Sequence, residues 1–365
     1  MRRFIPGRRA EAMAMTSLAL PDAMRRPCPP LRLGLIALLV IAAALSLGTG
    51  AAGVSLPQVL GQWLTGEEIS TRDRVVLLDI RLPRLAMGLM VGAALAVAGA
   101  VMQGLFRNPL ADPGIIGVGA GAGLGAVAMI VLSGFLPATI AAFFGTWLVP
   151  VAAFGGAWTA TLLLYRVASR GGQVSIATLL LAGIALAALA GALTGILTYL
   201  ADDTQLRDLT FWGMGSLAGA SHMKLLVGGL LIGPALILTP RLARGLNALA
   251  LGEATAAHMG HDIERLKHRA VIGVAALAGA AVAMAGGIGF VGIVVPHLLR
   301  IAGGPDHKTL LVDAALLGAA LLVLADLIAR LVVAPAELPI GIVTAILGAP
   351  VFLWILIRRQ GLGGV

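Results

Sequence analysis

The sequence is short of charged and aromatic side chains. Only 12% of its 365 residues are Asp, Glu, Lys or Arg, and 4% are Phe, Trp or Tyr. A soluble domain typically has about a quarter of its residues charged, so this composition excludes an ordinary soluble domain. The single cysteine, Cys28, offers neither a disulfide within the chain nor a cysteine-based metal site.

The chain also lacks a phosphate-binding loop. None of its three lysines follows a glycine, so the pattern G-x-x-x-x-G-K-[ST] is absent. Nor does the sequence contain an H-E-x-x-H pattern or another catalytic constellation, which counts against a membrane-embedded enzyme. We therefore expect no metal or cofactor in this chain, and we expect any use of ATP and Mg²⁺ to reside in a partner subunit.

Long apolar runs make up most of the sequence. Hydrophobic residues account for 59% of the chain, and the mean hydropathy is +0.98. A helix of about 20 apolar residues crosses roughly 30 Å of hydrocarbon, so the runs predict an all-α polytopic membrane protein. Division at glycine, proline and charge predicts ten spans, near 33–50, 85–105, 115–132, 140–166, 176–200, 222–240, 270–286, 289–301, 309–331 and 339–357.

Positive charge is distributed between these runs. The net charge is +9, but Lys and Arg fall in short clusters rather than in one patch, which argues against nucleic-acid binding. Ten spans leave both termini on one side, and a cytosolic Arg-rich tail, 1–32, places most other basic residues in the cytosol too, as the positive-inside rule requires. The tail lacks the apolar core and cleavage site of a signal peptide. The membrane domain is then 33–359.

Two segments repeat one pattern of small residues. GAALAVAG at 92–99 and GAAVAMAG at 279–286 are each followed by a glycine-containing break and a short apolar segment. The predicted topology runs the two copies in opposite directions, so they indicate an inverted repeat, which is common in transporters. Chance similarity stays an alternative, because small-residue patterns are frequent in membrane helices.

Helix breakers are concentrated in RNPLADPGIIGVGAGAG, at 107–123. Irregular backbone is too costly in lipid and survives only where it is buried in protein or lines a water-filled cavity. Gly117 and Gly121 are therefore candidates for the transport pathway, with helix packing as the alternative for each. Pro296 breaks a later span, and we expect His297 to bind carbonyls freed there.

Four motifs resemble those of the FecCD family. They are RLPR (81–84), GAALAVAGAVMQGLFRNPLADPGIIGV (92–118), FVGIVVPHLLR (290–300) and APAELPIGIVTAILGAPVFLW (334–354). Members of this family are permease subunits of type II ABC importers for iron–siderophores, haem and vitamin B12. The resemblance extends over about 33–359 and implies a homodimer, two ATP-binding subunits and a periplasmic binding protein, in a bacterial inner membrane.

The resemblance implies a docking site for the binding protein. Arg81, Arg84 and Arg330 match arginines that receive acidic residues of the binding protein, and guanidinium groups suit bidentate binding of carboxylates. Anchoring of helix ends at the lipid interface is the alternative. Asp326 stands four residues before Arg330, a spacing that predicts a pair on one helix face.

The segment 241–269 resembles the coupling segment of the family, which fits a groove on the ATPase. We predict two short helices in it, at 252–260 and 261–269, and an ordinary solvated loop is the alternative. Its three histidines are not expected to bind a metal, because the segment is exposed. The candidate coupling residues are Gly252, Glu253, Ala257, Gly260 and His261.

The turn SRGGQVSIAT, at 169–178, matches the turn that narrows the cytosolic exit in vitamin B12 permeases of the family. The outer loop from Asp202 to Trp212 matches a segment where the family places a short helix beside the substrate entrance. Tyr199 and Met214, on either side of it, are chemically able to touch haem iron, with packing or interface anchoring as the alternative for each. The remaining pathway or gate candidates are Gln173, Ser175, Ile176, Ala177, Tyr199 and Met214.

These features together predict the permease subunit of an ATP-driven importer. The stretch 108–123 resembles haem permeases more than it resembles many siderophore permeases, so haem is the predicted substrate. Vitamin B12 permeases look similar there too, and vitamin B12 and ferric siderophores are the alternatives. A secondary transporter would share the inverted repeat but usually needs intramembrane acids or histidines for ion coupling. Asp313 and Asp326 are the nearest candidates for that role.

Overall fold

The computed structural model describes residues 29–50, 53, 56–66, 68–170 and 173–360. The predicted tail up to residue 28, with Cys28, lies outside the described residues, as do Gly171 and Gly172 of the predicted gate turn. The α-helices are α1 (Pro29–Gly48), α2 (Leu56–Thr65), α3 (Thr71–Arg74), α4 (Leu82–Leu105), α5 (Val118–Leu132), α6 (Ala138–Phe144), α7 (Leu148–Ala168), α8 (Ile176–Leu200), α9 (Asp203–Met214), α10 (His222–Leu238), α11 (Ala243–Leu249), α12 (Glu253–His258), α13 (Ile263–Ala285), α14 (Val291–Gly303), α15 (His307–Leu331) and α16 (Ile340–Gln360).

Ten helical segments have the composition of membrane spans. Within the described residues, eight are long and apolar enough to cross a membrane, and two shorter apolar helices lie in α14 and α16. A π-helix, Val75–Arg81, joins α3 to α4, so the second span is one continuous helical run. These segments coincide with the ten predicted spans, and the all-α polytopic fold is confirmed.

Several boundaries differ from the prediction: the second span begins at Thr71 rather than 85, and three further differences have a local explanation. α1 begins at Pro29 rather than 33, because proline is well tolerated in the first turn of a helix. The fourth span is divided at Gly145, whose φ of 48° leaves the helical region, so α6 and α7 replace one helix. α13 begins at Ile263 rather than 270, because its polar first turns continue the helix beyond the apolar run.

α4 forms the centre of the bundle, and most of its 24 residues are buried. It runs antiparallel to α15, since Gly92 lies against Gly318 and Gly104 lies against His307. A Cβ on Gly92 would stand 2.3 Å from the Gly318 carbonyl oxygen, so only glycine allows this approach. Small residues at such crossings bring helix backbones into contact, which is how helices associate in lipid.

The bundle has two ends, each named after a residue. At the Arg84 end, α4 begins and α15 ends; at the Lys267 end, α13 and α15 begin. α13 begins at the Lys267 end and ends at the Arg84 end. The carbonyl of Ala285, its last residue, accepts a hydrogen bond from the Ser216 N–H, and the neighbouring Gly215 carbonyl accepts one from the N–H of Ile340, where α16 begins after α15 has ended at the Arg84 end. α4 and α13 therefore run in opposite directions, as the predicted inverted repeat requires.

The two copies of the repeat share a backbone feature. Each long helix is followed by a break and a short helix, α5 after α4 and α14 after α13. In the break, GIIGVG at 114–119 corresponds to GIGFVG at 287–292, and its fourth residue is Gly117 in one copy and Phe290 in the other. Both residues are left-handed, with φ of 75° and 68°, and both are N-caps of the short helix.

One small element departs from the all-helical pattern. Strands β1 (Ser169–Arg170) and β2 (Gln173–Val174) pair antiparallel between α7 and α8. Ser175 follows as the N-cap of α8, and its side chain accepts a hydrogen bond from the Thr178 N–H. The predicted gate turn is thus a short hairpin at the start of α8.

Candidate functional site

A buried cluster of ion pairs occupies the Arg84 end. Arg84 Nη2 lies 2.9 Å from Asp326 Oδ1, and Arg84 Nη1 lies 2.7 Å from Glu337 Oε1. Arg330 Nε lies 3.1 Å from Asp326 Oδ2, which confirms the predicted pair one helical turn apart. The arginines and Asp326 are almost fully buried, whereas the Glu337 side chain is 40% exposed. Acids of the same chain therefore neutralise both arginines.

Arg81 and Arg330 also hold the end of α1. The last carbonyls of a helix lack partners within it and carry partial negative charge. Arg81 Nη1 donates to the Leu47 carbonyl at 2.5 Å, and Arg330 Nη2 donates to Ser46 Oγ at 3.0 Å. The structure thus brings the three predicted docking arginines together but buries them, and their docking role stays a prediction. Sequence reasoning missed Glu337, whose only signal was an acid within the APAELP motif.

In the predicted coupling segment, 241–269, only one of the two short helices expected at 252–260 and 261–269 forms a separate element. α12 occupies the first predicted site, between Gly252 and Gly260, whose φ values of 110° and 85° favour glycine. The second predicted helix, 261–269, is wrong as a separate element because its residues form the first turns of α13. Ala257 is exposed, and the exposed apolar side chains of Leu251 and Met259 flank α12. This surface suits contact with another protein.

Metal binding gains no geometric support in the coupling segment. His258 Nδ1 contacts the Ala254 carbonyl at 2.7 Å, and His268 packs edge-on against Tyr165. Across the described ranges, no group of three or more His, Cys, Asp or Glu residues is placed to hold a metal ion.

A cavity of about 720 Å³ separates the hairpin from the coupling segment. Among the gate candidates, Gln173 and Ser175 line this cavity from the hairpin, and Glu253, Ala257 and His261 line it from the other side. Ile176 is half-buried, and Ala177 is exposed. The structure therefore places the predicted gate turn beside the predicted coupling residues, at the Lys267 end.

The glycines that begin α5 have different surroundings. A Cβ on Gly121 would stand 2.3 Å from the Gly156 carbonyl oxygen of α7, and a Cβ on Gly117 would stand 2.8 Å from Leu164. Both positions therefore serve helix packing. Gly119 has open space around it, with nothing within 4 Å of a Cβ built there.

A second cavity, of about 350 Å³, lies between the two breaks. Gly119 lines it from the first repeat and Phe290 from the second, with Trp212 at one side. Asp112 also lines this cavity, and its Oδ1 accepts a hydrogen bond from the Gly114 N–H at 2.7 Å. Residues of both breaks thus line a cavity, and irregular backbone is tolerated in a membrane protein where it lines one.

Gln103 supplies a hydrogen bond that sequence reasoning did not anticipate. Pro296 has no N–H, so the carbonyl four residues earlier, that of Gly292, loses its partner within the helix. Gln103 Nε2 donates to this carbonyl at 3.4 Å and to that of Ile293 at 3.2 Å. The predicted role of His297 stays a prediction, and a glutamine on another span carried no local signal of its role.

The two remaining pathway candidates lie on opposite sides of the α8–α9 connection. Tyr199 is 89% exposed near the end of α8, and Met214 is half-buried at the end of α9. α9 is the predicted short outer helix, and a capping box between Asp202 and Gln205 begins it. No cavity described above includes either side chain.

The acids that a secondary transporter would need are already paired. Asp313 Oδ1 lies 2.8 Å from Arg32 Nε, and Asp326 is bound by two arginines. An acid that carries coupling ions has to bind and release them during transport. Fixed ion pairs do not suit that task, and the alternative of a secondary transporter loses its candidate residues.

Comparison with known proteins agrees with this architecture. A model of the FecCD transport family matches residues 38–358, nearly all of the described chain. The chain belongs to the FecCD transport family. This membership confirms the resemblance, and it identifies the chain as a multi-pass permease subunit of an ABC transporter rather than an enzyme.

Individual relatives are similar over most of their length. The hemin transport system permease protein HmuU of Yersinia pestis is 47% identical over 335 residues, which cover 91% of this chain and 97% of that protein. The vitamin B12 import system permease protein BtuC of Salmonella typhi is 45% identical over 299 residues, covering 81% and 88%. A solved metal-chelate type ABC transporter in an inward-facing conformation matches with a TM-score of 0.80 and 33% identity, covering 90% and 99%.

Proposed function

We propose that this chain forms the membrane pathway of an ATP-driven haem importer, which moves haem from periplasm to cytosol across a bacterial inner membrane. The observation that supports haem as the substrate is the 47% identity of this chain to a hemin permease over nearly the full length of both proteins. The Lys267 end then faces the cytosol and the Arg84 end the periplasm, as the distribution of basic residues favours.

A second candidate substrate is vitamin B12. The vitamin B12 permease of Salmonella typhi is almost as similar, at 45% identity, although over a shorter part of this chain. Both substrates are large metal chelates built on a macrocyclic ring, so the family resemblance alone does not separate them. Ferric siderophores remain a third possibility within the family.

The pathway is proposed to lie between two copies of the chain. Exposure along α8 supports this arrangement: only Leu179, Gly183 and Ala190 of its 25 residues are buried. The other faces of α8 are exposed in the single chain, and they include Tyr199 and the start of the helix at the gate turn. A homodimer would cover part of this surface and leave part of it to substrate and lipid.

Two ATP-binding subunits are proposed to bind the Lys267 end and to supply ATP and Mg²⁺. α12 supports this role, because a short helix flanked by exposed Leu251 and Met259 offers an apolar contact at an otherwise polar surface. Closure of the ATPase subunits would then move α12 and change the gate turn at 173–177.

A periplasmic binding protein is proposed to dock at the Arg84 end. The cluster of Arg81, Arg84 and Arg330 supports docking with one constraint: an incoming carboxylate has to compete with Asp326 and Glu337 for the guanidinium groups. Glu337, at 40% exposure, is the acid that an incoming partner would meet.

Substrate is tested with the cognate binding protein. Haem, cobalamin and a ferric siderophore are titrated separately into that protein, and each loaded form is offered to proteoliposomes that contain this chain and its ATPase subunits. The proposal expects tight binding and ATP-dependent uptake of haem alone. Uptake of cobalamin without haem would move the assignment to the second candidate.

A further inference from the structure

Two side chains of α13 hold the backbone of Val174 on both sides. The Val174 N–H donates to Glu264 Oε2 at 2.8 Å, and the Val174 carbonyl accepts from Lys267 Nζ at 3.0 Å. Val174 is buried and stands one residue before Ser175, the N-cap of α8. The position of the gate turn is therefore set by the first turns of α13.

The same lysine binds the coupling helix. Lys267 Nζ lies 2.9 Å from Glu253 Oε2, in the first turn of α12, and 3.1 Å from Glu264 Oε1. An ammonium group has three donors, and these two carboxylates and the Val174 carbonyl take all three. Lys267 is only 3% exposed, so solvent does not compete for these bonds.

The connection crosses a joint in the chain. α12 and α13 are separated by residues 259–262, which include Gly260 with φ of 85°. Without a side-chain link, α12 could turn about this joint while α13 stayed in place. The Glu253–Lys267 ion pair connects α12 to α13 across this joint. The Lys267–Val174 hydrogen bond connects both helices to the start of α8.

We propose that Lys267 is a positioning residue that transmits movement of the coupling helix to the gate turn. This inference rests on the proposed function, in which α12 binds the ATPase and 173–177 narrows the exit. When the ATPase draws α12 to a new position, Lys267 carries Val174 with it and shifts the first turn of α8. Energetic coupling of this kind travels through contiguous hydrogen bonds and ion pairs that move as a unit.

The test measures gate movement directly. In a Cys28→Ser background, Gln173→Cys places a thiol on the exposed side of the hairpin, beside Val174. A membrane-impermeant thiol reagent is applied from the cytosolic side to the complex with its ATPase subunits, first without nucleotide and then trapped with ADP and vanadate. The proposal predicts that labelling differs between the two states with Lys267 present.

Substitution of the lysine should remove that difference. In Lys267→Met, the ratio of labelling between the two states should fall by at least about threefold, while ATP hydrolysis by the complex continues. Arg265→Met is the matched control, because Arg265 is exposed on the same helix and pairs only locally with Asp262. It should keep the wild-type ratio.

A second variant guards against a folding defect. If Lys267→Met fails to insert, Glu253→Gln removes the charge on α12 while Lys267 keeps its two other acceptors, and it should reduce the labelling ratio in the same direction. Wild-type ratios in these variants would overturn the proposal, as would equal labelling of both nucleotide states in the parent. A parent that shows the labelling change but no haem uptake would refute the substrate and leave the lysine link intact.

Discussion

The side-chain amide of Gln103, on α4, donates a hydrogen bond to the carbonyl of Gly292, the carbonyl that Pro296 leaves without a helical partner. Gln103 Oε1 also accepts from Arg300 Nη1. One buried side chain thus satisfies both the interrupted backbone of α14 and a nearby arginine. A side chain of the first half of the inverted repeat thus binds the backbone of α14 in the second half.

Loss of this amide should destabilise the protein. Gln103→Leu leaves the Gly292 carbonyl and the Arg300 guanidinium without this partner, and a buried polar group that loses its partner costs about 1–3 kcal/mol. Thermal unfolding in detergent measures the change. Gln173→Leu, at an exposed position, is the control and should unfold like the wild type. Equal stability of Gln103→Leu and the control would mean that other groups provide hydrogen bonds to the Gly292 carbonyl and Arg300.

Gly119 and Gly121 offer a matched test of packing against pathway. Gly121→Ala places a methyl group against the Gly156 carbonyl, and such overpacking costs typically about 1–3 kcal/mol. Gly119→Leu meets open space and extends into the cavity beside Asp112, so it should lower transport without lowering stability. Thermal unfolding and uptake are measured for both variants. Gly134→Leu, also in open space but away from the cavity, should preserve both properties.

The opposite pattern, in which Gly119→Leu transports normally and Gly121→Ala unfolds normally, would contradict this division. Cysteines placed one at a time along 115–125 add a second measurement. The face of α5 that holds Gly121 and Gly125 should be protected from a water-soluble thiol reagent, since both glycines touch α7.

Glu337 provides a test of docking at the Arg84 end. Glu337→Gln removes an acid that competes for Arg84, so binding-protein affinity should rise by about 0.2–1 kcal/mol, the range of exposed charge pairs. Affinity is measured at low and high ionic strength, because salt screens such contacts. Glu68→Gln, at another exposed acid, is the control. Unchanged or weaker binding in Glu337→Gln alone would argue that the arginines only fasten α1, α4 and α15.

Asp306, the N-cap of α15, should make stability sensitive to acid. Partial burial acts to raise the pKa of this carboxyl, but hydrogen bonds from the Lys308 N–H and the Asn247 side chain outweigh it and hold the pKa below 3.8. A carboxyl whose pKa is lowered by folding stabilises the folded state at pH values above its ordinary pKa, and this contribution is lost as the pH falls through the folded pKa. When unfolding is measured from about pH 6 to below about pH 4, Asp306→Asn should lose less stability on acidification than the wild type. Identical profiles would contradict this assignment.

The sequence was sufficient for the spans and for most of their ends. Apolar length and charge clusters specify where a chain enters and leaves lipid, and Pro109 and Pro113 correctly predicted the first break. Hydropathy did not show where α13 begins, because the helix starts with polar residues that lie before the apolar run. Hydropathy also could not show that Gly145 divides the fourth span, because a hydropathy profile contains no information about backbone angles.

The candidate sites were less predictable because they depend on contacts between distant segments. Arg84 is 242 residues from Asp326, and Lys267 is 93 from Val174. Nothing in the local pattern around either residue indicates its partner, so only the fold could show that the predicted docking arginines are buried and that Lys267 binds the predicted gate turn. Only pairs one helical turn apart, such as Asp326 with Arg330, could be predicted from spacing.

The central claim is that this chain is a passive pathway that a separate ATPase drives. It is tested most directly by haem accumulation in proteoliposomes that contain this chain with or without the ATPase subunits, with the loaded binding protein and ATP supplied. We predict accumulation only in the presence of the ATPase, and its loss in Ala257→Pro, which breaks α12, while ATP hydrolysis continues. Concentrative, ATP-dependent accumulation by this chain in the absence of any ATPase subunit would contradict the account.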